Sequence, residues 1–353
     1  MQTKFKYLLK SPSDAIIITS PENRRYFTGF KSSDGFLVIT YDESLFFTDS
    51  RYIEAAKKQI TVCETVLLKR ASETIAPVLK EKGIKKIFFE TEHLTVSEFN
   101  NFKNIFNFCE VEACEDLDGI IDFLRAVKTP EEVDCIKKAQ QIAEEAFSHI
   151  LKFIKVGVTE KEIALELDFY MLSHGAEAVS FETIAVSGKN SSMPHGVPTD
   201  KKIESGDFIT MDFGAVYNGY HSDMTRTVIV GQPSKKQKEI YETVLKAQRN
   251  ALNALKAGVP CAKADKAARS IINDAGYKDC FGHGTGHGVG IEIHEIPTLS
   301  PASVFTLEKG NVVTVEPGIY IPGEFGVRIE DMALITEDGF INLTNCEKEL
   351  IIL

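Results

Sequence analysis

The sequence predicts an α+β protein built from two domains, on three observations. The first third alternates short apolar runs with amphipathic stretches, and the remainder reads as two helices followed by strands, twice over. A length of 353 residues suits two domains better than one or three. At 43% hydrophobic and 26% charged residues the composition is that of globular material, so a substantial core can form.

In the first third, the runs Ala15–Thr19, Phe36–Thr40, Leu45–Thr48 and Lys86–Phe89 read as strands. Helical patterns at 51–58, 72–82 and 95–104 fall among them. A small α/β domain over residues 1–121 and a second domain over 122–353 are the expectation.

The second domain opens on a marked helix start, with Thr129 as cap, Pro130 at the first helical position and Glu131 and Glu132 in the first turn. Val133, Ile136, Ala143, Phe147, Ile150 and Ile154 form its apolar stripe, and Gly157 is expected to end it. The next helix starts at Thr159, where Glu162 completes a capping box, and runs to about His174 and Gly175. Further helices are expected from Ser234 to Gly258 and on to Gly276, with strands before and after. The separation of Gly206 from Gly310, 104 residues, carries Gly206–Gly214 onto Gly310–Gly318 and Pro130 onto Ser234. That is an internal duplication. Two equivalent halves facing each other across a cleft would bring Asp212 and Glu316 to it from opposite sides.

A net charge of −11 argues against a nucleic-acid binder, which needs a basic stripe for phosphates. The basic start Met1–Lys10 is interrupted by Lys10 and Asp14 before a signal-peptide core can form, and no apolar stretch has membrane-spanning length. A cytoplasmic protein with no membrane partner is expected. Cys63, Cys109, Cys114, Cys135, Cys261, Cys280 and Cys346 are scattered, odd in number and free of CxxC pairs, which reads as free thiols in a reducing compartment.

Residues 208–217 read as a strand, Asn218-Gly219 as a two-residue hairpin turn and Tyr220–Val230 as the return. That turn pairs Tyr217 with Tyr220 and Asp212 with Thr225, and places Asp223 as a diagonal neighbour on the face of Asp212. Ile209, Met211 and Phe213 occupy the opposite face. Two carboxylates this close repel each other unless a cation or proton lies between them. A similar hairpin, 312–320 and 326–334, sets Glu316 and Glu330 among apolar strand residues. Four carboxylates on two related hairpins favour two hard or borderline cations over one. The segment Phe281–Gly290 holds His283 and His287 four apart among five glycines, with His294 seven further on. Glycine at every second position excludes an ordinary helix, and no Lys follows to make a phosphate loop. Such backbone suits a crowded site that a metal or substrate approaches closely. His195 lies on a loop ahead of the first hairpin, and alone carries little.

Taken in order, Met-Asp212-Phe-Gly, His-Ser-Asp223-Met-Thr-Arg, Gly-His-Gly-Thr-Gly-His287-Gly, Val-Glu316-Pro-Gly and Val-Arg-Ile-Glu330-Asp resemble the ligand phrases of the pita-bread metallopeptidases. That superfamily holds methionine aminopeptidase, aminopeptidase P and prolidase. The resemblance covers about residues 125–353, and the part before it, with Thr48-Asp49-Ser50-Arg51-Tyr52, resembles the creatinase-type domain of the Xaa-Pro peptidases. It implies two divalent ions, usually Mn2+ and sometimes Co2+ or Zn2+, with Asp223 and Glu330 bridging, Asp212 on one ion and His287 with Glu316 on the other. It implies Glu316 as proton shuttle, His195 and His294 as hydrogen-bond partners of the peptide carbonyl and tetrahedral intermediate, and His283 and Arg328 in the proline pocket or behind the ligands. Proline-containing peptides as partners and a homodimer follow from the same resemblance.

Prolidases commonly clamp the proline carboxylate with an arginine between the metal His and the next metal Glu. No Arg occurs from Gly288 to Val313. That absence favours longer peptides, so an Xaa-Pro aminopeptidase is the expectation, with prolidase the alternative. Arg51, or an arginine of another subunit, is a possible substitute clamp. A non-catalytic binding relative and a metal-independent creatinase-like hydrolase are the remaining readings, and all five intact ligand positions argue against both.

Overall fold

The structure, a computed structural model, describes residues 2–353 and divides into two compact units, Met1–Leu124 and Arg125–Leu353. The first unit is built on strands β1 (Asp14–Ile18), β2 (Phe36–Thr40), β3 (Ser44–Thr48), β4 (Glu64–Leu67), β5 (Lys86–Phe89) and β6 (Glu110–Ala113), in the order β4-β3-β2-β1-β5-β6. Helices α1 (Pro21–Thr28), α2 (Ile53–Gln59), α3 (Ala71–Glu81), α4 (Val96–Ile105) and α5 (Glu115–Ala126) connect and follow them. Successive β1 residues belong to different cores, Ile16 and Ile18 on one face, Ala15 and Ile17 on the other. A sheet buried on both faces requires apolar runs rather than alternation, which is why these strands stand out in the sequence.

The four strands predicted here are the inner ones, and the two that were not, β4 and β6, are the sheet edges. An edge strand such as Glu-Val-Glu-Ala is only partly covered, so it carries charges and loses the apolar signal. Helix α1 also escapes the periodicity because Asn23 and Arg24 are among its buried residues. The expected limit at residue 121 falls inside α5, whose twelve residues continue to Ala126.

The second unit opens with α6 (Pro130–Phe153) and α7 (Glu160–Ser173), each entered through a capping box, from Thr129 and Thr159. Strands β7 (Ala178–Val179), β8 (Ile184–Ser187), β9 (Phe208–Phe213), β10 (Ala215–Tyr217), β11 (Tyr220–His221) and β12 (Met224–Ile229) follow. Then come α8 (Lys235–Asn253), α9 (Cys261–Asp274), β13 (Gly286–Gly288), β14 (Glu295–Leu299), β15 (Val312–Val315), β16 (Gly318–Ile321), β17 (Phe325–Arg328), β18 (Asp331–Ile335) and β19 (Phe340–Asn342). Helix α6 stops at Phe153, ahead of Gly157, because Ile154 takes extended backbone at ψ 126°; Gly157 sits in the next turn at φ +94°. Helix α8 likewise ends at Asn253, short of Gly258.

Each half lays its helix pair on its own sheet. Ile209, Met211 and Phe213 pack with Ile142, Phe147 and Leu167, whereas Val313 and Val315 pack with Val244, Leu245 and Ile272. The halves meet where Glu330 N donates to Thr225 O (3.1 Å) and Thr227 Oγ1 donates to Arg328 O (2.9 Å). Arg226 and Asp331 form an ion pair of 2.9 Å across the same seam, with side chains 2% and 0% exposed. Among the described residues no helix is long and apolar enough to cross a membrane.

Candidate metal centre

Residues Asn218 and Gly219 take positive φ, +48° and +85°, as a type I′ turn requires, and the hairpin pairs Tyr217 with Tyr220 and Asp212 with Thr225. The same register sets Asp223 opposite Gly214, where a Cβ would lie 1.9 Å from Ser222 O. In the second hairpin, Val315 pairs with Asp331 and Gly318 with Arg328, which sets Glu316 opposite Glu330. Superposing Asp212 on Glu316 therefore makes Thr225 the counterpart of Glu330, and Arg328 the counterpart of Asp223. The halves are equivalent in backbone but not in what they contribute.

All nine predicted residues line one cavity of about 570 Å³: Asp212, Asp223, His283, His287, His294, Glu316, Arg328, Glu330 and His195. Ligand atoms of Asp223, His287 and Glu330 lie within 4.8 Å of one another. His287 Nε2 stands 3.5 Å from Asp223 Oδ2 and 3.5 Å from Glu316 Oε1. Its Nδ1 faces the Gly288 carbonyl at 3.0 Å, so Nδ1 carries the proton and the Nε2 lone pair points at the carboxylates. Burial holds the His287 pKa below the usual imidazole value, which keeps that lone pair available.

The carboxylates are under electrostatic stress. Burial first, and then the charges of Glu330, Asp212 and Glu316, push Asp223 well above the ordinary aspartate range. Burial followed by Glu316 and Asp212 does the same to Glu330, and burial also raises Glu316 against the opposing pull of His283 and Arg328. Two buried oxygens, Asp212 Oδ1 and Glu330 Oε1, have no hydrogen-bond partner. Four carboxylates, one imidazole and two buried oxygens without donors fit divalent cations, which would neutralise the repulsion and occupy the free lone pairs.

Residues that sequence reasoning missed hold this set in place. Thr225 Oγ1 donates to Glu330 Oε2 (2.8 Å) and accepts from Arg328 Nε (3.0 Å). Arg328 also pairs with Asp212 Oδ2 (2.6 Å) and donates to Tyr320 OH (2.8 Å) and Pro194 O (3.2 Å), so all three of its nitrogens are engaged. Tyr320 OH in turn donates to His283 Nε2 (2.9 Å), whose Nδ1 faces Gly284 O (2.8 Å). His294 packs its ring edge-on to His287, centroids 4.4 Å apart. His195 is exposed on its loop at the cavity wall. Arg51, the possible substitute clamp, is bound within its own unit to Asp49 and Asp34.

The glycines around His287 serve a purpose other than the one expected. Cβ atoms at Gly286 and Gly288 would lie 2.0 Å from Thr314 O and 2.3 Å from Ile296 O. What approaches so closely is neighbouring backbone, because β13 is squeezed between β14 and β15.

Residues 134–337 match metallopeptidase family M24, and residues 6–127 match the creatinase/prolidase N-terminal domain. An Xaa-Pro dipeptidase of Pyrococcus furiosus is 40% identical over 98% of this chain and 97% of its own. The structure of an Xaa-Pro dipeptidase from Bacillus anthracis superposes with a TM-score of 0.95 at 44% identity, covering 100% of this chain and 99% of that one. An X-Pro aminopeptidase from Thermotoga maritima superposes at 0.93 with 36% identity, covering 99% and 100%. The chain belongs to metallopeptidase family M24, as a pita-bread enzyme that takes divalent metal ions and carries a creatinase/prolidase domain at its N-terminal side.

Proposed function

We propose that the chain hydrolyses the Xaa-Pro bond of dipeptides, as a prolidase. The observation that carries this reading is the cluster of four carboxylates and His287 in one cleft of a chain that resembles, over nearly its whole length, Xaa-Pro dipeptidases of Pyrococcus furiosus and Bacillus anthracis. It reverses the preference for longer peptides that the missing arginine suggested. The aminopeptidase reading is the second one, favoured by the Thermotoga maritima structure and by Arg328, the one guanidinium lining the cavity among the described residues, having four of its five N–H groups committed to protein partners and so no fork left to clamp a substrate carboxylate.

In this proposal Asp212, Asp223, His287, Glu316 and Glu330 would hold two divalent ions, manganese by preference, with Asp223 and Glu330 shared between them. Bound there, the ions supply Lewis acidity toward a water molecule and toward the substrate carbonyl. Glu316 moves the proton from the attacking water to the leaving proline nitrogen. His195 and His294 donate hydrogen bonds to the peptide carbonyl and to the tetrahedral intermediate. Tyr320 and Arg328 hold His283 and Asp212 in orientation. A homodimer in a reducing compartment completes the proposal; the seven free cysteines support the compartment, and a solution mass of one chain would overturn the dimer.

The deciding experiment offers Ala-Pro and Ala-Pro-Ala to protein loaded with manganese, cobalt or zinc, with Ala-Ala as control. Cleavage of Ala-Pro is expected. Cleavage of the tripeptide alone would establish the aminopeptidase reading instead, and cleavage of neither would sink both.

A further inference from the structure

Residues 187–199 leave β8, pass the cleft and return ahead of β9, carrying Pro194, His195, Gly196 and Val197 to the cavity wall. No hydrogen bond from a described residue reaches the His195 ring, so no polar partner of the ring holds it and its place in the cleft follows the course of this loop. The middle of the loop rests on β17: Gly326 N donates to Ser191 Oγ (2.9 Å), and Arg328 reaches Pro194 O.

Both ends of the loop close on one carboxylate. Glu160, in the first turn of α7, is 0% exposed. Its Oε1 accepts from Ser187 N (2.6 Å), Ser187 Oγ (2.9 Å) and Asn190 Nδ2 (3.1 Å). Its Oε2 accepts from Thr199 N (3.0 Å), Thr199 Oγ1 (2.6 Å) and Asn190 Nδ2 (3.1 Å). Among the described residues no salt bridge reaches Glu160; Lys201 Nζ touches its partner instead, donating to Ser187 Oγ at 3.0 Å. Burying a carboxylate is costly unless its lone pairs are satisfied, and here every donor that satisfies them belongs to the loop.

We propose that Glu160 is a positioning residue of the active site: by closing residues 187–199 at both ends it fixes His195 in the cleft. The proposal rests on the cleft being the hydrolytic site described above. The chemistry singles out a carboxylate. Each Glu160 oxygen faces a backbone N–H, Ser187 on one side and Thr199 on the other, so a glutamine of the same shape would turn its own NH2 against one of them in either flip state. One end of the loop would then open, and His195 would drift. A misplacement of about 1 Å is worth on the order of 100-fold in rate.

The test is a double-substitution cycle with manganese-loaded full-length protein and Ala-Pro or Ala-Pro-Ala, whichever the wild type cleaves. E160Q is expected to bind manganese as the wild type does and to lose about 10- to 100-fold in kcat. In an H195A background the same substitution should cost no more than about twofold, because the residue through which it acts is gone. T199V, which removes one hydroxyl donor at an exposed position, should lower kcat in the same direction by a smaller factor, and keeps the test open if E160Q does not fold. Equal losses from E160Q in the presence and absence of His195, or wild-type kcat in E160Q or T199V, would overturn the proposal while the hydrolytic reading stands. A wild type inert toward both peptides would overturn that reading and this proposal together.

Discussion

Thr225 and Glu330 occupy equivalent backbone positions of the two halves, yet one is a hydroxyl that donates to the other's carboxylate at 2.8 Å. The same asymmetry sets Asp223 against Arg328. At that position one half supplies an acid, and the other supplies the cation that holds Asp212. If both halves carried carboxylates at these places, six acids would share one cleft, a charge that two divalent ions cannot offset. At this scale the metal site predicts its own defect. D223N should abolish manganese uptake and hydrolysis, measured by metal content and peptide cleavage. The same substitution should raise the melting temperature of the metal-free protein by about 2 °C or more, because it relieves the repulsion that pushes Asp223 up. Wild-type metal content in D223N would refute the assignment.

Among the elements, the loops that present the cleft histidines are tied by acids whose side chains are buried. Asp265 on α9 accepts from Thr285 Oγ1 (2.9 Å) and pairs with Arg269, which donates to Phe281 O and His283 O. Glu295 accepts from Ile291 N (2.9 Å) and Glu292 N (3.2 Å) in the turn before His294, and pairs with Arg125 and Lys128, both at 2.8 Å. Burial alone would raise the Glu295 pKa, but Lys128 and Arg125 outweigh it and hold it below the usual glutamate value. The sign follows from linkage: a lowered folded pKa contributes fully above the unfolded value, roughly 4.3, and that contribution is lost as pH falls through the folded value. E295Q should therefore lose about 3–5 kcal/mol at neutral pH, since it takes from the buried Lys128 ammonium its carboxylate and leaves Arg125 with Glu292 in place of two carboxylates. Its stability should also decline less between pH 5 and roughly pH 3 than that of the wild type. Urea unfolding at both ends of that interval decides it; parallel declines would show that Glu295 carries none of the acid sensitivity.

In the whole molecule, the catalytic unit is two helix-on-sheet halves joined where β12 meets β17 and β18. Arg226 stands at that seam, donating to Thr225 O (3.0 Å), Cys346 O (3.0 Å), Glu347 O (2.9 Å) and Asp331 (2.9 Å). R226M should lower unfolding free energy by about 3–5 kcal/mol, because Asp331 would keep its burial and lose its principal partner. Chemical denaturation measures it, and a loss under about 1 kcal/mol would show that Lys348 and Gln248, also bonded to Asp331, suffice.

The sequence by itself determined the α+β class and how the candidate ligands pair within each hairpin, because each rests on local rules. A two-residue Asn-Gly turn and the alternation of a strand put Asp212 and Asp223 on one face without reference to anything distant. Apolar runs reveal inner strands of a doubly covered sheet, and edge strands such as Glu110–Ala113 lack that signal for the converse reason. Only the tertiary structure decided what surrounds the ligands. Thr225, Tyr320, Glu160 and Glu295 act through contacts between segments whose approach no periodicity encodes, as between Glu160 and Thr199, 39 residues apart. Arg328 shows the limit most plainly: it is legible as a charge next to a candidate ligand, but its engagement with Asp212, Thr225 and Pro194 arises only when the two halves close on each other.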